Sequence, residues 1–236
     1  MTGADRLAAK MGWRDGVQGL LGAYAIGAFP MGDPRTGRLD WYDPDPRAVM
    51  PMDERFHVSR SLAKRMRSGR FEVTSDEAFG EVLRACAEPR ADANGEDEAE
   101  LQETWIDDTI IGAYEALHAA GHAHSVEVWR RDDGGSRRLV GGIYGVTLGG
   151  LFAGESMFSR PASGGRDASK VALVWCWRVL RACGFVLFDV QFWTPHLGRF
   201  GCVEMPRASY HARLAEACTL GASWRAALPR VERLGP

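Results

Sequence analysis

The sequence predicts an α+β fold. Residues 125–129 alternate between polar and apolar side chains like a β-strand, and residues 139–160 have the pattern of a β-hairpin, so three antiparallel strands follow one another. A further strand at 71–73 precedes them, and a helix at 168–183 and an apolar strand at 185–192 come after them. Antiparallel strands in succession, with helices before and after them, are typical of an α+β domain.

The composition is that of an ordinary soluble globular protein. Of the 236 residues, 45% are hydrophobic and 25% are charged, and the formal charge of -2 gives no global attraction to nucleic acid. Any nucleic-acid site must therefore be a local basic patch. No apolar run approaches the roughly 18 residues of a membrane span, and the five cysteines form no C-x-x-C pair. We expect a cytoplasmic protein with reduced thiols and no membrane association.

The first elements along the chain are a helix and a loop. Residues 17–24 carry apolar side chains at helical spacing, and the helix must end before Pro30, because proline disfavours helical geometry at the residue before it. Residues 32–47 are rich in proline and glycine, and we expect them to form an irregular loop that carries Trp41 and Tyr42. This loop is a candidate domain boundary.

The most basic stretch of the chain is a short helix that begins near Ser59. One interpretation is a solvated helix face, and the other is a face that contacts phosphate groups. Phosphate contacts would hold a nucleic acid without reading its sequence. The five cationic residues are Arg60, Lys64, Arg65, Arg67 and Arg70.

The hairpin at 139–160 is rich in glycine and carries a single carboxylate, Glu155. Glycine inside a strand marks a bulge or the close approach of a ligand or a second backbone. Glu155 ends the apolar part of the hairpin, where it must find a partner or stay hydrated, because an isolated buried charge is costly. The alternative is an ordinary hairpin with a glutamate at its mouth.

Two polar residues interrupt the apolar strand at 185–192. Asp189 and Gln191 are two residues apart, so their side chains share one face of a strand. Phe188 and Val190 then point to the other face. Two polar groups side by side in a buried strand cost free energy unless they are hydrogen-bonded or used, so we favour a functional role for this pair.

Neither a metal site nor a coenzyme A site is expected. His122 and His124 lie beyond the end of the helix that carries His118, so the i,i+4 geometry of a helical metal site is not available. The loop from Arg160 to Lys170 leads into a helix, which is where acetyltransferase-type folds bind a pyrophosphate. It lacks the basic, glycine-punctuated pattern of such loops, and this counts against coenzyme A.

Ten motifs follow one another along the chain: AYAIGAFPM (23–31), PDPRAV (44–49), HVSRSL (57–62), TWI (104–106), AYEALHAAGHAHSVEVW (113–129), LVGGIYGV (139–146), LFAGESMFSR (151–160), ASKVAL (168–173), FDVQ (188–191) and HLGRFG (196–201). Together they resemble the leucyl/phenylalanyl-tRNA–protein transferases, the bacterial enzymes of the N-degron pathway. The segment GESMFSR is the most specific of them.

The resemblance implies an architecture and an activity. The architecture is a small N-terminal domain over 1–44 and an acetyltransferase-like (GNAT-type) domain over 45–236, with a mixed β-sheet flanked by helices. The acidic residues 89–103 read as a flexible insertion. The activity is transfer of Leu, Phe or, less readily, Met from aminoacyl-tRNA to proteins with N-terminal Arg or Lys. No metal or cofactor is implied, and we expect a monomer.

The chemistry of such a transfer fits the polar residues. An α-amine with a pKa near ~7.7 attacks an ester that is already activated, so orientation matters more than a strong base. We expect Asp189 to hydrogen-bond the incoming amine and Gln191 to orient it or relay its proton, without deciding which accepts the proton. Glu155 either pairs with the cationic end of the acceptor or fixes Gln191.

The aminoacyl side chain needs a dry pocket sized for Leu or Phe. An unbranched methionine suits guests of two shapes. We also expect the hairpin glycines to make room for the substrate. The positions that match the family's pocket are Ile143, Phe152, Met157 and Leu180.

The tRNA needs separate contacts. Trp105 and Tyr114 match the positions at which the family holds the terminal adenosine of the tRNA. Stacking of a base on an aromatic ring contributes about 1–3 kcal/mol. Trp41 and Tyr42 are weaker candidates. The basic residues of 60–70 are expected to hold acceptor-stem phosphates.

Two other classes stay open at this point. A coenzyme-A-dependent N-acyltransferase on the same fold would turn over acetyl-CoA, although the loop after Arg160 argues against it. A non-catalytic tRNA-binding module would tolerate substitution of Asp189 or Gln191 without any change in activity.

Overall fold

The computed structural model describes residues 16–33, 38–88, 106–132 and 134–224. The helices are α1 (Gly16–Ala25), α2 (Arg60–Met66), α3 (Phe79–Ala87), α4 (Asp108–Ala119), α5 (Ala168–Cys183), α6 (Pro195–Gly198) and α7 (Arg207–Cys218). The strands are β1 (Phe29–Asp33), β2 (Arg38–Tyr42), β3 (Arg47–Met50), β4 (Glu72–Ser75), β5 (Ala123–Arg131), β6 (Arg137–Leu148), β7 (Leu151–Ser159), β8 (Leu187–Gln191) and β9 (Val203–Met205). Trp105 and the insertion 89–103 lie outside the described residues.

A mixed sheet organises the fold. Its strand order is β4-β5-β6-β7-β8-β3-β9, and β7 and β8 are parallel while the other neighbours are antiparallel. Helix α5 packs on one face through a large apolar cluster, and α1, α3 and α4 form a second cluster on the other. The predicted α+β class, with a mixed sheet flanked by helices, is therefore confirmed.

The prediction of an irregular loop at 32–47 is wrong for 32–33, 38–42 and 47, which lie in strands, whereas 43–46 has no regular structure, as predicted. Strands β1 and β2 form a two-stranded antiparallel sheet in which Phe29 lies opposite Tyr42 and Pro30 opposite Trp41. Each strand of such a ribbon has a free edge, so Pro30 is accommodated although it has no N–H to donate. Trp41 and Tyr42 are therefore held in a regular strand.

The glycines of the β6–β7 hairpin make room for protein, and the expectation that they make room for substrate is wrong. A Cβ on Gly141 would lie 2.5 Å from the Cβ of Ala168, at the start of α5. A Cβ on Gly149, where φ is +56°, would lie 2.6 Å from the carbonyl oxygen of Ala217 in α7. Protein atoms would also meet a Cβ added to any of four other glycines of this hairpin, Gly142, Gly145, Gly150 and Gly154.

The N-terminal helix shares a core with the rest of the chain. Leu20, Leu21 and Tyr24 of α1 belong to the apolar cluster that also holds Tyr114 and Tyr144. A division into domains at residue 44 stays a prediction. Over the described ranges, no helix is long and apolar enough to cross a membrane, and no group of three or more histidine, cysteine or acidic residues is placed to hold a metal ion.

Candidate active site

The candidate site lies where the two parallel strands separate. Pairing of β7 with β8 ends at Ala153 and Asp189. Just beyond, each strand has one residue more than its antiparallel partner, Glu155 in β7 and Val190 in β8. Such bulges bend a strand and re-aim its side chains. The strand ends therefore place Glu155 and Gln191 at one opening of the sheet.

Asp189 is held by a buried arginine. Arg47 Nε donates to Asp189 Oδ1 at 2.8 Å and Arg47 Nη2 donates to Oδ2 at 2.6 Å, which is a two-bond fork. The side chains are 1% and 0% exposed. The ion pair is therefore shielded from water on both sides.

The remaining acceptor positions of Asp189 are also filled. The hydroxyl of Tyr210 donates to Oδ2 at 3.1 Å, and the backbone N–H of Gln191 donates to Oδ1 at 3.0 Å. Four donors thus reach the two oxygens, which is close to the capacity of a carboxylate. Asp189 holds the end of β8, and these four donors, all from described residues, occupy the acceptor positions that a substrate amine would need.

Gln191 presents an unused donor. Its φ is +58°, a left-handed conformation that is uncommon outside glycine, and its side chain is 7% exposed. Among the described residues, its Nε2 has no hydrogen-bond partner. A buried amide that lacks a partner costs free energy, so a group awaiting a ligand is the simplest account.

The alternation expected for β8 is partly disturbed. Phe188 and Val190 share one face, as predicted, and they pack in the cluster that holds α5. Asp189 points away from that cluster to Arg47 and Tyr210. The bulge and the positive φ break the regular period at Gln191. The two residues are therefore linked by the hydrogen bond from the Gln191 backbone N–H to Asp189 Oδ1, and not by a shared strand face.

Glu155 is bound by two tyrosines from separate helices. Tyr24 of α1 donates to Glu155 Oε1 at 2.7 Å, and Tyr114 of α4 donates to Oε2 at 2.9 Å. The two hydroxyl oxygens are also 2.7 Å apart. Three short contacts are thus shared by two hydroxyl protons, and a proton on Glu155 would complete the ring.

The electrostatics of this cluster favour that third proton. Burial raises the pKa of Glu155 to about 7, against the lowering effect of the two tyrosine hydrogen bonds and with a smaller raising effect of Asp189. Burial also raises the pKa of Tyr24 and of Tyr114 well above the usual value, so both hydroxyls keep their protons. Glu155 therefore changes charge near neutral pH.

Replacing Glu155 with glutamine is expected to flatten the dependence of stability on pH. The folded-state pKa, about 7, lies above the ordinary value of 4.5. Glu155 therefore favours folding below the ordinary pKa, and this contribution is lost as pH rises through about 7. The melting temperature of Glu155→Gln, relative to that of the wild type, should therefore rise between pH 4.5 and about pH 7. Glu115→Gln, in a surface pair with Arg84, is the control, and parallel curves for Glu155→Gln and the wild type would contradict the assignment.

The four predicted pocket residues lie together on the α5 side of the sheet. Ile143 and Met157 are opposite each other in β6 and β7, and Phe152 and Leu180 are fully buried in the same cluster. Phe152 also stacks on Trp224, with ring centres 5.7 Å apart. Met157 is the half-buried member of the four.

The aromatic residues predicted to hold adenosine are not displayed alike. Tyr114 is fully buried, and its ring stands edge-on to Tyr144 at 5.4 Å. Its hydroxyl binds Glu155, and because the side chain is fully buried, neither face of its ring is open for stacking. Tyr42 is half-buried and stacks on Phe29 at 6.0 Å. Trp105 lies outside the described residues.

The basic residues of 60–70 form two groups, one residue that is bound to other protein groups and four that are exposed. Ser59 caps α2, its Oγ accepting from the backbone N–H of Leu62 at 3.3 Å. Arg65 is tied to the loop before α5 through Asp167 at 3.2 Å and through the carbonyl of Arg166. The exposed members are Arg60, Lys64, Arg67 and Arg70.

Sequence reasoning missed three residues of the site, Arg47, Tyr24 and Tyr210. Arg47 had a signal, because it is a charged residue in the otherwise apolar strand β3. Asp189 is likewise a charged residue in the apolar strand β8. Two buried opposite charges predict each other. Tyr24 and Tyr210 had none, because their spacing along helices is that of ordinary core residues.

Comparisons with known proteins agree with the class that this site suggests, a group-transfer enzyme. A family model described as leucyl/phenylalanyl-tRNA protein transferase matches residues 49–215. Leucyl/phenylalanyl-tRNA–protein transferase from Herpetosiphon aurantiacus is 50% identical over 205 residues, which cover 87% of this chain and 95% of that protein. The protein of the same name from Thiobacillus denitrificans is 51% identical over 201 residues, covering 85% and 80%.

The chain belongs to the leucyl/phenylalanyl-tRNA–protein transferase family. The match spans most of the chain and includes both strands that form the candidate site. Among solved structures, the crystal structure of FemX aligns with a TM-score of 0.49 and 12% identity, over 81% of this chain and 67% of that one. That likeness is too distant to carry an argument about function.

Proposed function

We propose that the protein transfers Leu, Phe and, less readily, Met from aminoacyl-tRNA to the N-terminal Arg or Lys of acceptor proteins, marking them for N-degron degradation. Family membership supports the reaction class. The observation that carries the site assignment is the buried Gln191 amide whose Nε2 has no partner among the described residues. We also infer an acetyltransferase-like (GNAT-type) architecture, supported by the parallel pair β7 and β8, which separates at the site and is the one parallel pair among the described strands.

Gln191 is the group we place against the reacting atoms. Attack by the amine puts negative charge on the carbonyl oxygen of the ester, and a fixed N–H donor stabilises charge that develops there. As the carbonyl re-forms, the ester C–O bond to the terminal ribose breaks, and the ribose oxygen takes up the proton that the amine loses. Gln191 Nε2 is the donor, and its Oε1 remains able to accept from the amine. Asp189 serves this step indirectly, since its oxygens are engaged by Arg47, Tyr210 and the Gln191 backbone.

Glu155 is the group we place against the acceptor's cation. Its contacts run to Tyr24 and Tyr114, which supports this role over that of fixing Gln191. A pKa of about 7 leaves the carboxyl ready to ionise when a guanidinium or ammonium approaches. Selection of Arg and Lys over neutral N-terminal residues would follow from the pairing.

The remaining assignments follow the layout of the fold. The aminoacyl side chain occupies the cluster of Ile143, Phe152, Met157 and Leu180, and Met157 adapts to guests of different shape. Tyr42 and Trp105 are proposed to contact the terminal adenosine. The protein acts as a monomer and uses no cofactor in this proposal.

The tRNA backbone is proposed to lie along one face of α2. Arg60, Lys64 and Arg67 are spaced three and four residues apart, so they share a face, and all three are exposed. Changing all three to glutamine should raise the KM for aminoacyl-tRNA, leave kcat unchanged and lower the salt dependence by about 0.7–0.9 per lost phosphate contact. Arg84→Gln, in a surface pair with Glu115, is the control. A KM that does not change would remove α2 from the interface.

The function is tested with labelled Phe-tRNA and two peptides that differ only in an N-terminal Arg or Ala. A Phe-Arg-peptide product, with no product from the Ala peptide, is the expected result. Absence of product with Leu-, Phe- and Met-tRNA would refute the proposal. Turnover of acetyl-CoA would favour the acyltransferase alternative, and tRNA binding without turnover would favour the binding module.

A further inference from the structure

We propose that Arg47 is a positioning residue for the transfer reaction, acting on Gln191 through Asp189; this rests on the proposed role of Gln191. Arg47 is the largest fully buried side chain among the described residues. Its guanidinium carbon lies over the ring of Tyr210, at 4.4 Å from the ring centre, and over the ring of Phe29, at 4.9 Å. These two ring contacts restrict the orientation of the planar group in addition to the hydrogen bonds of its edge.

The edge of the guanidinium then fixes the carboxylate. Nε and Nη2 form the fork on Asp189, which sets the plane of the carboxylate and not only its position. In that plane Asp189 Oδ1 accepts from the backbone N–H of Gln191 at 3.0 Å. That hydrogen bond holds Gln191 at a φ of +58°. Arg47 thereby determines the direction in which the Gln191 amide leaves the strand.

Stability alone does not account for this arrangement. A well-packed apolar pair often stabilises a fold as much as a buried ion pair does. An apolar pair offers no acceptor to the Gln191 N–H, and it would not select the left-handed conformation. The particular gain from Arg47 and Asp189 is therefore the geometry of Gln191.

Arg47 also connects the two halves of the site. Its Nη1 donates to the carbonyl oxygen of Gly27 at 2.8 Å. Gly27 follows Tyr24 by three residues, in the turn that ends α1, and Tyr24 holds Glu155. One guanidinium thus ties the segment that positions Glu155 to the strand that positions Gln191. The group proposed to bind the acceptor and the group proposed to act on the ester are held in fixed relation.

The test is a double-substitution cycle with Arg47→Lys and Gln191→Ala. Lysine keeps the charge and loses the planar fork. We expect Arg47→Lys to lower kcat for Phe transfer by about 100-fold with the KM for aminoacyl-tRNA unchanged, since small displacements of a reacting group have effects of this size. In the Gln191→Ala background, Arg47→Lys should lower kcat no further. Arg137→Lys, in a surface cluster with Glu72 and Glu77, is the control.

A second measurement does not depend on turnover. Hydrogen exchange of the Gln191 backbone N–H should accelerate in Arg47→Lys, while exchange in the β5–β6 ladder stays as in the wild type. An unchanged kcat, or losses that add fully with Gln191→Ala, would overturn the proposal, as would an unchanged Gln191 exchange rate. A wild-type protein with no transfer activity would instead refute the proposed function, and the exchange rates would still decide whether Arg47 positions Gln191.

Discussion

Gln191→Ala is expected to lower kcat for aminoacyl transfer by about 10²–10³-fold, the range found when one donor to a developing oxyanion is removed. The KM for aminoacyl-tRNA should stay the same, because the contacts proposed for phosphate, adenosine and aminoacyl side chain lie elsewhere. The variant should be at least as stable as the wild type. Its substitution removes a buried donor that has no partner among the described residues, and such a group destabilises the native state.

Kinetics at saturating Phe-tRNA and thermal melting of the same samples measure both quantities. Gln191→Glu separates the donor from the shape of the side chain, because an ionised carboxylate only accepts hydrogen bonds, and it should be as slow as Gln191→Ala. Gln18→Ala, an exposed residue of α1, is the matched control. A Gln191→Ala enzyme with wild-type kcat would show that Nε2 does not touch the reacting atoms.

Much of this site could be predicted from the sequence, because it follows from patterns among neighbouring residues. Asp189 and Gln191 were identified from a period of two in an apolar strand, and Glu155 from its place at the end of a hairpin. The antiparallel order of β5, β6 and β7 followed from the turns between them. Each of these inferences needs only a few neighbouring residues.

The missing part depended on contacts between distant residues. Arg47 and Asp189 are 142 positions apart, and Tyr24 and Glu155 are 131 apart. No periodicity links such pairs, so Asp189 was expected to offer its carboxylate to the substrate amine, whereas four donors engage it in the fold. The positive φ of Gln191 is of the same kind, because it depends on a hydrogen bond to Asp189 and on a bulge opposite β3.

The same contrast explains the error about the glycines. A glycine in a strand signals close approach, but only the fold shows what approaches. At Gly145 the nearest atoms to an added Cβ are the carbonyl oxygen of Ala153, at 2.3 Å, and Cζ of Phe152, at 2.5 Å. The glycine therefore lets the Phe152 ring approach β6 closely, and Phe152 is part of the proposed pocket. In the proposed function, Phe152 limits the room for the substrate side chain, and Gly145 leaves the space in which the Phe152 ring lies.

Gly145→Ala is accordingly expected to destabilise the protein by about 3 kcal/mol, at the upper end of the usual range for overpacking. The nearest clashing atom belongs to the backbone of β7, so relief requires a shift of the strand beside the Glu155 bulge. For a chain of this size the melting temperature should fall by about 2–4 °C per kcal/mol.

Gly22→Ala is the matched control with the opposite sign. Gly22 lies inside α1 with no atom within 4 Å of an added Cβ, and alanine in a helix interior stabilises by about 1 kcal/mol over glycine. Equal melting temperatures for Gly145→Ala and the wild type would mean that β7 yields easily. In that case Phe152 would not be a fixed wall of the proposed pocket, and discrimination between Leu and Phe would have to come from its other members, Ile143, Met157 and Leu180.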